Sequence, residues 1–204
     1  MQGAFKERAR SVFDPLVAFL DRIHLRPTAI TLAGLALAVG AGWCIAAHRL
    51  RWGALCLILS ALCDILDGQL ARRQGSVSPT GAFLDSCMDR LAEGAVFVGL
   101  AVYLMPSGPG WVALAVLGLI ASTMVSYARA RAEGLGLDCK VGLMERPERI
   151  LLLAVGTLLG QRFMPGVLGL LFLLTLVTVG QRVYHVRRLT KGDSSGNGGL
   201  KSHG

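Results

Sequence analysis

The sequence predicts an all-α integral membrane protein: a six-transmembrane-helix bundle with an N-terminal amphipathic surface helix. Of its 204 residues, 53% are hydrophobic, and the mean hydropathy is +0.55. That is more apolar than an ordinary soluble domain. Six segments approach the length of about 20 mostly apolar residues that a bilayer-crossing helix needs. Most of the positive charges fall on one side of the resulting topology, as they do in membrane proteins.

The first predicted element is a helix within residues 1–25. Between Phe5 and Leu25, apolar residues recur at helical spacing. This spacing favours an amphipathic helix that lies on the membrane surface, and an ordinary helix packed against the bundle is the alternative. Asp14, Pro15 and Asp21 interrupt the segment, which argues against a secretory signal.

The next six elements are the predicted membrane spans. They form one helical domain, residues 26–190, because little sequence remains outside them for a soluble domain. The Gly/Ser-rich segment 191–204 is predicted to be a disordered tail. The spans are Thr28–Ala47, Trp52–Leu70, Gly81–Met105, Trp111–Ala130, Ile150–Arg162 and Pro165–Val186.

The distribution of cations predicts the orientation of these spans. With the N-terminus in the cytoplasm, six crossings return the C-terminus to the same side. All but four of the 21 Lys and Arg residues then lie on the cytoplasmic face; the exceptions are Arg49, Arg51, Arg90 and Arg162. This asymmetry predicts a multi-pass protein of the cell membrane with both termini cytoplasmic. Topology and anionic lipid headgroups account for the net charge of +8, so no nucleic-acid partner is needed.

Four aspartates lie in or beside the second and third spans. Asp64 and Asp67 are three residues apart and Asp85 and Asp89 are four apart, so each pair shares one helical face. The short connection between the spans predicts antiparallel neighbouring helices, with both pairs near the cytoplasmic boundary. Ionisable groups at this depth are costly and usually mark function. Converging carboxylates repel one another, so they either share protons, as in a proton or cation transporter, or bind hard divalent ions.

The residues around the aspartates favour the metal-binding alternative. Gly68, Ala71 and Gly81 leave space beside the carboxylates, and Arg72 supplies a planar phosphate-binding fork. Acidic residues, small residues and an arginine together suit a metal-bound pyrophosphate.

The same segment resembles a known family signature. Residues 64–72, a spacer of eight residues and residues 81–89 match the pattern DxxDGxxAR, eight residues, GxxxDxxxD of the CDP-alcohol phosphotransferase family at every fixed position. The resemblance implies transfer of a phosphate-linked lipid group from a CDP-diacylglycerol-type donor to an alcohol, with release of CMP. It also implies a homodimer among membrane lipids. By the same resemblance, two Mg²⁺ ions, with Mn²⁺ as the alternative, are bound by Asp64, Asp67, Asp85 and Asp89, and Asp89 is also the general base.

The resemblance assigns eight residues to the CDP-lipid pocket. Ser78 stands where relatives often have a threonine that contacts the nucleotide. Thr28 replaces the usual Asn or Asp at the entry to the first span, and capping of that helix is the alternative role for Thr28. The eight residues are Thr28, Thr31, Asp67, Gly68, Ala71, Arg72, Ser78 and Gly81.

Two further segments bear on the acceptor. Residues 126–133 and 145–149 resemble the branch of the family that makes phosphatidylinositol phosphate. This implies inositol 1-phosphate as the phosphorylated polyol, with Arg129, Arg149 and Arg182 as its phosphate pocket. A phosphatidylglycerophosphate synthase that uses glycerol 3-phosphate is the alternative within the family. Arg129 also has a purely topological explanation, and Arg146 and Arg149 have an alternative pairing with Glu145 and Glu148.

Overall fold

The computed structural model describes residues 13–196, with side chains as far as Lys191. Within this part of the chain there are seven α-helices, one short 3₁₀ segment and no β-strand. The predicted all-α class is therefore confirmed. The helices are α1 (Asp14–Arg22), α2 (Pro27–Ala46), α3 (Leu50–Arg73), α4 (Pro79–Leu104), α5 (Pro109–Glu133), α6 (Arg146–Leu159) and α7 (Met164–Gly196), and the 3₁₀ segment (Met105–Ser107) joins α4 to α5.

Proline, serine and glycine residues mark ends of the three helices around the aspartates, α2, α3 and α4. Pro27 and Pro79 occupy the first positions of α2 and α4, where the missing N–H is harmless and the fixed φ suits a helix. Ser78 caps α4, because its Oγ accepts a hydrogen bond of 3.1 Å from the backbone N–H of Gly81. Gly75 follows α3 with a φ of +61°, a conformation that glycine adopts without strain.

The central helix of the bundle is α2. It packs against both α3 and α4, whereas α3 and α4 approach each other only weakly. The prediction that α3 and α4 are direct packing neighbours is therefore wrong, although the aspartates of the two helices do converge. The reason is that α2 buries small residues, Gly34, Ala38 and Gly42 among them, and so fits between its neighbours.

Backbone-to-backbone contact holds α2 against α4. A Cβ added at Gly99 would lie 2.2 Å from the carbonyl oxygen of Gly42, and one added at Gly42 would lie 2.3 Å from that of Ala95. On the other side of α2, the Ser60 hydroxyl of α3 donates to the carbonyl of Gly34 at 2.8 Å. These contacts fix the axial position of the two aspartate-bearing helices through α2.

The remaining helices complete the bundle. α5 packs against α4 and α7, and α6 packs against α3 and α7. One buried cluster draws residues from every helix from α2 to α7, including Ile45, Leu57, Phe97, Ala115 and Leu168. The outer surface is also apolar: Trp43, Phe83 and Leu173 are more than half exposed. Apolar groups on both the inside and the outside suit a bundle surrounded by lipid.

Four helices are long and apolar enough to cross a membrane by length and composition. They are Pro27–Ala46, Leu50–Arg73, Pro109–Glu133 and Met164–Lys191. α6 has 14 residues, fewer than the length of about 20 that a crossing needs. α4 has 26 residues, but its first half carries Asp85, Asp89, Arg90 and Glu93. The multi-pass prediction is thus confirmed for four helices.

The structure describes only part of each predicted terminal segment. Residues 1–12 and 197–204 lie outside the described residues. α1 buries Val17 against Ile30, Leu66 and Leu70 and exposes apolar side chains, Phe19 among them, on its other side. At the other end, α7 continues to Gly196, into the segment that begins the predicted disordered tail.

Polar contacts also attach α1 to the end of α3. The side chains of Gln74 and Arg73 donate to Asp21 at 3.2 and 3.1 Å. These hydrogen bonds, with the one from Gln74 the larger influence, lower the pKa of Asp21 below its ordinary value. The attachment places α1 beside a cavity that Gln74 lines together with residues of α2, α3 and α4.

Candidate active site

Three of the four predicted metal ligands converge between α3 and α4. One carboxylate oxygen from each of Asp64, Asp67 and Asp85 lies within 4.8 Å of the others. Thr31 of α2 donates to Asp67 Oδ2 at 2.6 Å. Asp85 Oδ1 is buried and accepts no hydrogen bond among the described residues. An oxygen-only donor set with an unsatisfied buried carboxylate oxygen fits a hard divalent ion such as Mg²⁺ or Mn²⁺.

Asp89 lies one turn beyond Asp85 on α4 and is held differently. Its Oδ1 lies 2.7 Å from Arg146 Nη2, and its Oδ2 lies 3.6 Å from Arg90 Nη2. It lines the same small cavity as Asp64, Asp67 and Asp85. The structure therefore brings all four aspartates to one site, with Asp89 paired to arginines at its edge.

Arg146 also belongs to this site, although its sequence context suggested a pairing with Glu145 or Glu148. It is the first residue of α6, and its Nη1 lies 2.6 Å from Asp64 Oδ1. The proposed pairing of Arg146 with Glu145 or Glu148 is therefore replaced by a bridge between α3 and α4. Its position beside Pro147 at a helix start was the one available signal, and that signal did not indicate which carboxylates it would meet.

A larger cavity of about 440 Å³ adjoins the aspartates. All eight residues assigned to the CDP-lipid pocket line it, from α2, α3 and the start of α4. Thr31, Asp67 and Asp85 line both this donor cavity and the small aspartate cavity. The two cavities therefore share a wall made of metal-ligand candidates. The eight lining residues are Thr28, Thr31, Asp67, Gly68, Ala71, Arg72, Ser78 and Gly81.

Local structure explains several of these positions. The Ser78 hydroxyl already caps α4, so any contact with a nucleotide would use its remaining hydrogen-bonding capacity. The cap position of α2 is Arg26, so the alternative role of Thr28 as the helix cap is wrong. A Cβ at Gly68 would lie 3.7 Å from the Arg72 guanidinium, so glycine keeps the wall open next to that arginine.

The three predicted acceptor arginines do not line either of these cavities. Arg129 is paired with Glu133 at 2.8 Å and is partly exposed. Arg182 is 2% exposed and donates to the backbone carbonyls of Val141 and Val125. The structure thus gathers the residues predicted to bind the donor and the metal. Arg129 instead contacts Glu133, and Arg182 contacts the backbone of Val125 and Val141.

Arg149 belongs to a buried network that includes a second overlooked residue, Glu93. Arg149 is 1% exposed, and its Nε lies 3.1 Å from Glu93 Oε1. The same oxygen accepts a hydrogen bond of 2.5 Å from Ser122. Glu93 Oε2 lies 3.9 Å from the Nε of Arg90, which also faces Asp89. An acidic residue four positions after Asp89 inside an apolar span was the signal that could have identified Glu93.

An oxygen-only metal site beside a cavity lined by arginine and glycine, inside an apolar helical bundle, defines a membrane-embedded phosphotransferase. The family model described as CDP-alcohol phosphatidyltransferase matches residues 24–180. The chain belongs to this family, and the prediction of a metal-dependent transferase is confirmed.

Two curated relatives show how close the similarity is. The archaetidylinositol phosphate synthase of Methanothermobacter thermautotrophicus is 37% identical over 190 residues, which cover 91% of this chain and 94% of the relative. The phosphatidylinositol phosphate synthase of Mycolicibacterium smegmatis is 40% identical over 184 residues, which cover 85% of this chain and 82% of the relative.

Two crystal structures of the phosphatidylinositol phosphate synthase of Mycobacterium tuberculosis resemble the fold. The structure with CDP-DAG bound has a TM-score of 0.76 at 30% identity and covers 84% of this chain and 92% of that protein. The structure in complex with manganese and citrate also has a TM-score of 0.76 at 30% identity, and it covers 84% of this chain and 87% of that protein.

Proposed function

We propose that this protein transfers a phosphatidyl group from CDP-diacylglycerol, or a similar CDP-lipid, to a hydroxyl of inositol 1-phosphate and releases CMP. The observation that carries the proposal is the 440 Å³ cavity, whose lining includes all eight donor residues and which shares Thr31, Asp67 and Asp85 with the aspartate cavity. The names of the relatives favour inositol phosphate over glycerol 3-phosphate as the acceptor. The family assignment removes the support for a cation or proton transporter.

The chain's residues would divide the chemistry as follows. Asp64, Asp67, Asp85 and Asp89 hold two divalent ions, Mg²⁺ or Mn²⁺, which neutralise charge on the phosphates when bound. Thr31 fixes the orientation of Asp67 through its 2.6 Å hydrogen bond. Asp89 takes the proton of the acceptor hydroxyl, whose oxygen forms a bond to the lipid-bearing phosphorus. The bond from that phosphorus to the CMP oxygen breaks, and CMP leaves with the electron pair.

The donor's pyrophosphate would lie along the start of α4 and the end of α3. Arg72 offers its guanidinium fork to the phosphates, and Gly68, Ala71 and Gly81 leave room for them. Thr28 and Ser78 provide hydroxyl groups in the lining of the same cavity.

The acceptor's phosphate would bind to the basic residues beyond Asp89. Arg129, Arg149 and Arg182 supply the positive charge, and the contacts of residues 134–145 with Arg149 and Arg182 hold these two arginines in place. Arg129 is the most accessible of the three, and its pairing with Glu133 would open to admit the phosphate.

The proposal extends to the protein's place in the membrane. Six crossings result if α4 and α6 also span the bilayer with the four apolar helices. The concentration of cations at the ends of α3, α5 and α7 supports cytoplasmic termini. The exposed Leu16 and Phe19 of α1, with the exposed Ile23 that follows the helix, support a surface location for residues 1–25. Residues 26–190 then form the catalytic domain and 191–204 a tail. The homodimer stays part of the proposal on the family resemblance alone.

The test is CMP release by purified protein with CDP-diacylglycerol and Mg²⁺, using inositol 1-phosphate, glycerol 3-phosphate, free inositol and L-serine as separate acceptors. The proposal expects release with inositol 1-phosphate and little with the other three. Release only with glycerol 3-phosphate would keep the aspartate chemistry and transfer the assignment to the alternative acceptor. Release with free inositol but not its phosphate would contradict the roles of the three arginines.

A further inference from the structure

The guanidinium of Arg146 joins the two halves of the aspartate site. It enters from α6, whereas Asp64 comes from α3 and Asp89 from α4. Its two terminal nitrogens lie 2.6 Å from Asp64 Oδ1 and 2.7 Å from Asp89 Oδ1. The Arg146 side chain is only 16% exposed, so this charge is largely removed from water.

The position of Arg146 is set by its own segment and not only by these ion pairs. Just before α6, the N–H of Met144 donates to Thr178 of α7 at 3.1 Å, and the N–H of Leu143 donates to Gln181 at 3.2 Å. Arg149, one turn into α6, donates to the carbonyl of Met144 at 3.3 Å. The start of α6 is therefore anchored to α7, and the Arg146 side chain is the part that reaches the aspartates.

The guanidinium of Arg146 lies close to the aspartates, but not all of its N–H groups are hydrogen-bonded. Its Nη1 is buried and makes no hydrogen bond of good geometry among the described residues, despite its short distance to Asp64. An arginine fork has five N–H donors that match planar oxyanions such as carboxylate and phosphate. Arg146 lines the aspartate cavity. A phosphate oxygen placed there would offer Arg146 the hydrogen-bond alignment that the two carboxylates do not.

Charge balance indicates when the arginine would change partners. Four ionised aspartates carry four negative charges, and Arg146 offsets part of that charge through Asp64 and Asp89. Two divalent ions bound by the same carboxylates would offset all of it. The Arg146 guanidinium would then lose most of its attraction to the aspartate carboxylates and would be available to pair with a substrate phosphate.

We infer that Arg146 competes with divalent ions for the carboxylates of Asp64 and Asp89 and that, with the ions bound, it binds a phosphate oxygen of a substrate. The first half of this inference depends only on the aspartate cluster. The second half rests on the proposed function, since it needs a phosphate-bearing substrate in the adjoining cavities.

The first half is tested by titrating the purified full-length protein with Mn²⁺ and following the signal of free Mn²⁺ by electron paramagnetic resonance. Arg146→Gln should lower the Kd for Mn²⁺ by about tenfold, which is equivalent to about 1.4 kcal/mol. The control is Arg188→Gln, which removes the same charge from an exposed position on α7 that does not line the aspartate cavity. A residue that merely held Asp64 and Asp89 in place would weaken Mn²⁺ binding when removed.

An Arg146→Gln protein that binds Mn²⁺ no more tightly than the Arg188→Gln protein would overturn the competition. Gel filtration and thermal unfolding in detergent check that the variant is folded. If Arg146→Gln does not fold, Arg146→Met removes the charge but keeps an unbranched side chain, and it should also bind Mn²⁺ more tightly than the wild type. These titrations contain no substrate, so their outcome is independent of whether the proposed transfer is correct.

The second half is tested by CMP-release kinetics at saturating Mg²⁺. Arg146→Gln should raise the KM of one phosphate-bearing substrate by about tenfold, as expected for the loss of a charge-assisted contact of about 1.4 kcal/mol. An increase for the CDP-lipid alone would assign the contact to the donor phosphates, and an increase for inositol 1-phosphate alone would assign it to the acceptor. Unchanged KM values for both would overturn the phosphate-binding role.

Discussion

At the scale of single residues, the site depends on how buried charges are paired. Asp67 is 6% exposed and receives the Thr31 hydroxyl at 2.6 Å. Glu93 and Arg149 form an ion pair away from water. A charge in such surroundings is tolerated only with partners, so each of these residues can be tested by removing charge while keeping shape.

Asp67→Asn should reduce CMP release by about 10³-fold or more, a change of about 4 kcal/mol in activation free energy. Asparagine keeps the volume of the side chain and can still accept the Thr31 hydrogen bond, but it lacks the charge that a divalent ion needs. Asp138→Asn is the control, because Asp138 is exposed and pairs only with Lys140 in the salt bridges described. Retained release by the Asp67 variant would remove this carboxylate from the mechanism.

Glu93→Gln should lower the free energy of unfolding by about 3 kcal/mol, because it leaves the buried Arg149 without its countercharge. The matched control is Glu133→Gln, which breaks an exposed pair with Arg129 and should cost only about 0–1 kcal/mol. Thermal unfolding of both variants in the same detergent measures the difference. Equal losses would mean that the Glu93 network adds nothing beyond an ordinary surface pair.

At the scale of helices, the contact between α2 and α4 positions the aspartates. The motif predicted that the two acidic pairs would meet, and they do. The motif could not predict that α2 would lie between α3 and α4, because that arrangement depends on how Gly42 fits against Gly99. Glycine spacing of this kind is common in apolar helices and does not name its partner.

Gly99→Ala should destabilise the protein by about 1–3 kcal/mol, since its Cβ would lie 2.2 Å from the Gly42 carbonyl oxygen and force α4 away from α2. Gly94→Ala on the same helix is the control: its Cβ would meet nothing within 4 Å, and alanine has a helix propensity more favourable by about 1 kcal/mol. The check is thermal unfolding together with Mn²⁺ titration. A Gly99 variant as stable as the Gly94 variant would contradict the close contact.

Helix boundaries show a consistent difference between sequence and structure. The predicted second span ended at Leu70, whereas α3 continues to Arg73. The predicted fourth span ended at Ala130, whereas α5 continues to Glu133. Hydropathy marks the apolar part of a helix and not the polar turns that extend beyond it. The fifth span was predicted to end at Arg162, but Gly160, with a φ of +82°, ends α6 at Leu159.

At the scale of the whole molecule, features encoded by local motifs could be predicted from the sequence, whereas contacts between distant residues could not. The aspartate motif correctly indicated the family and a site made from two helices, because its residues are fixed by short spacing. Arg146 and Glu93 could not be assigned in the same way, since Arg146 meets Asp64 across 82 positions of sequence and Glu93 meets Arg149 across 56. Such contacts depend on how α3, α4 and α6 are arranged and not on any local pattern.

The shared wall between the donor cavity and the aspartate cavity has a thermodynamic consequence. Because Thr31, Asp67 and Asp85 face both cavities, whatever binds in one alters the charge and the positions of groups that line the other. Equilibrium coupling between two ligands is reciprocal. If a bound CDP-lipid raises the affinity for divalent ions by some factor, bound ions must raise the affinity for the CDP-lipid by the same factor. Donor and metal affinities of this protein therefore have meaning only as a pair, each stated at a known concentration of the other.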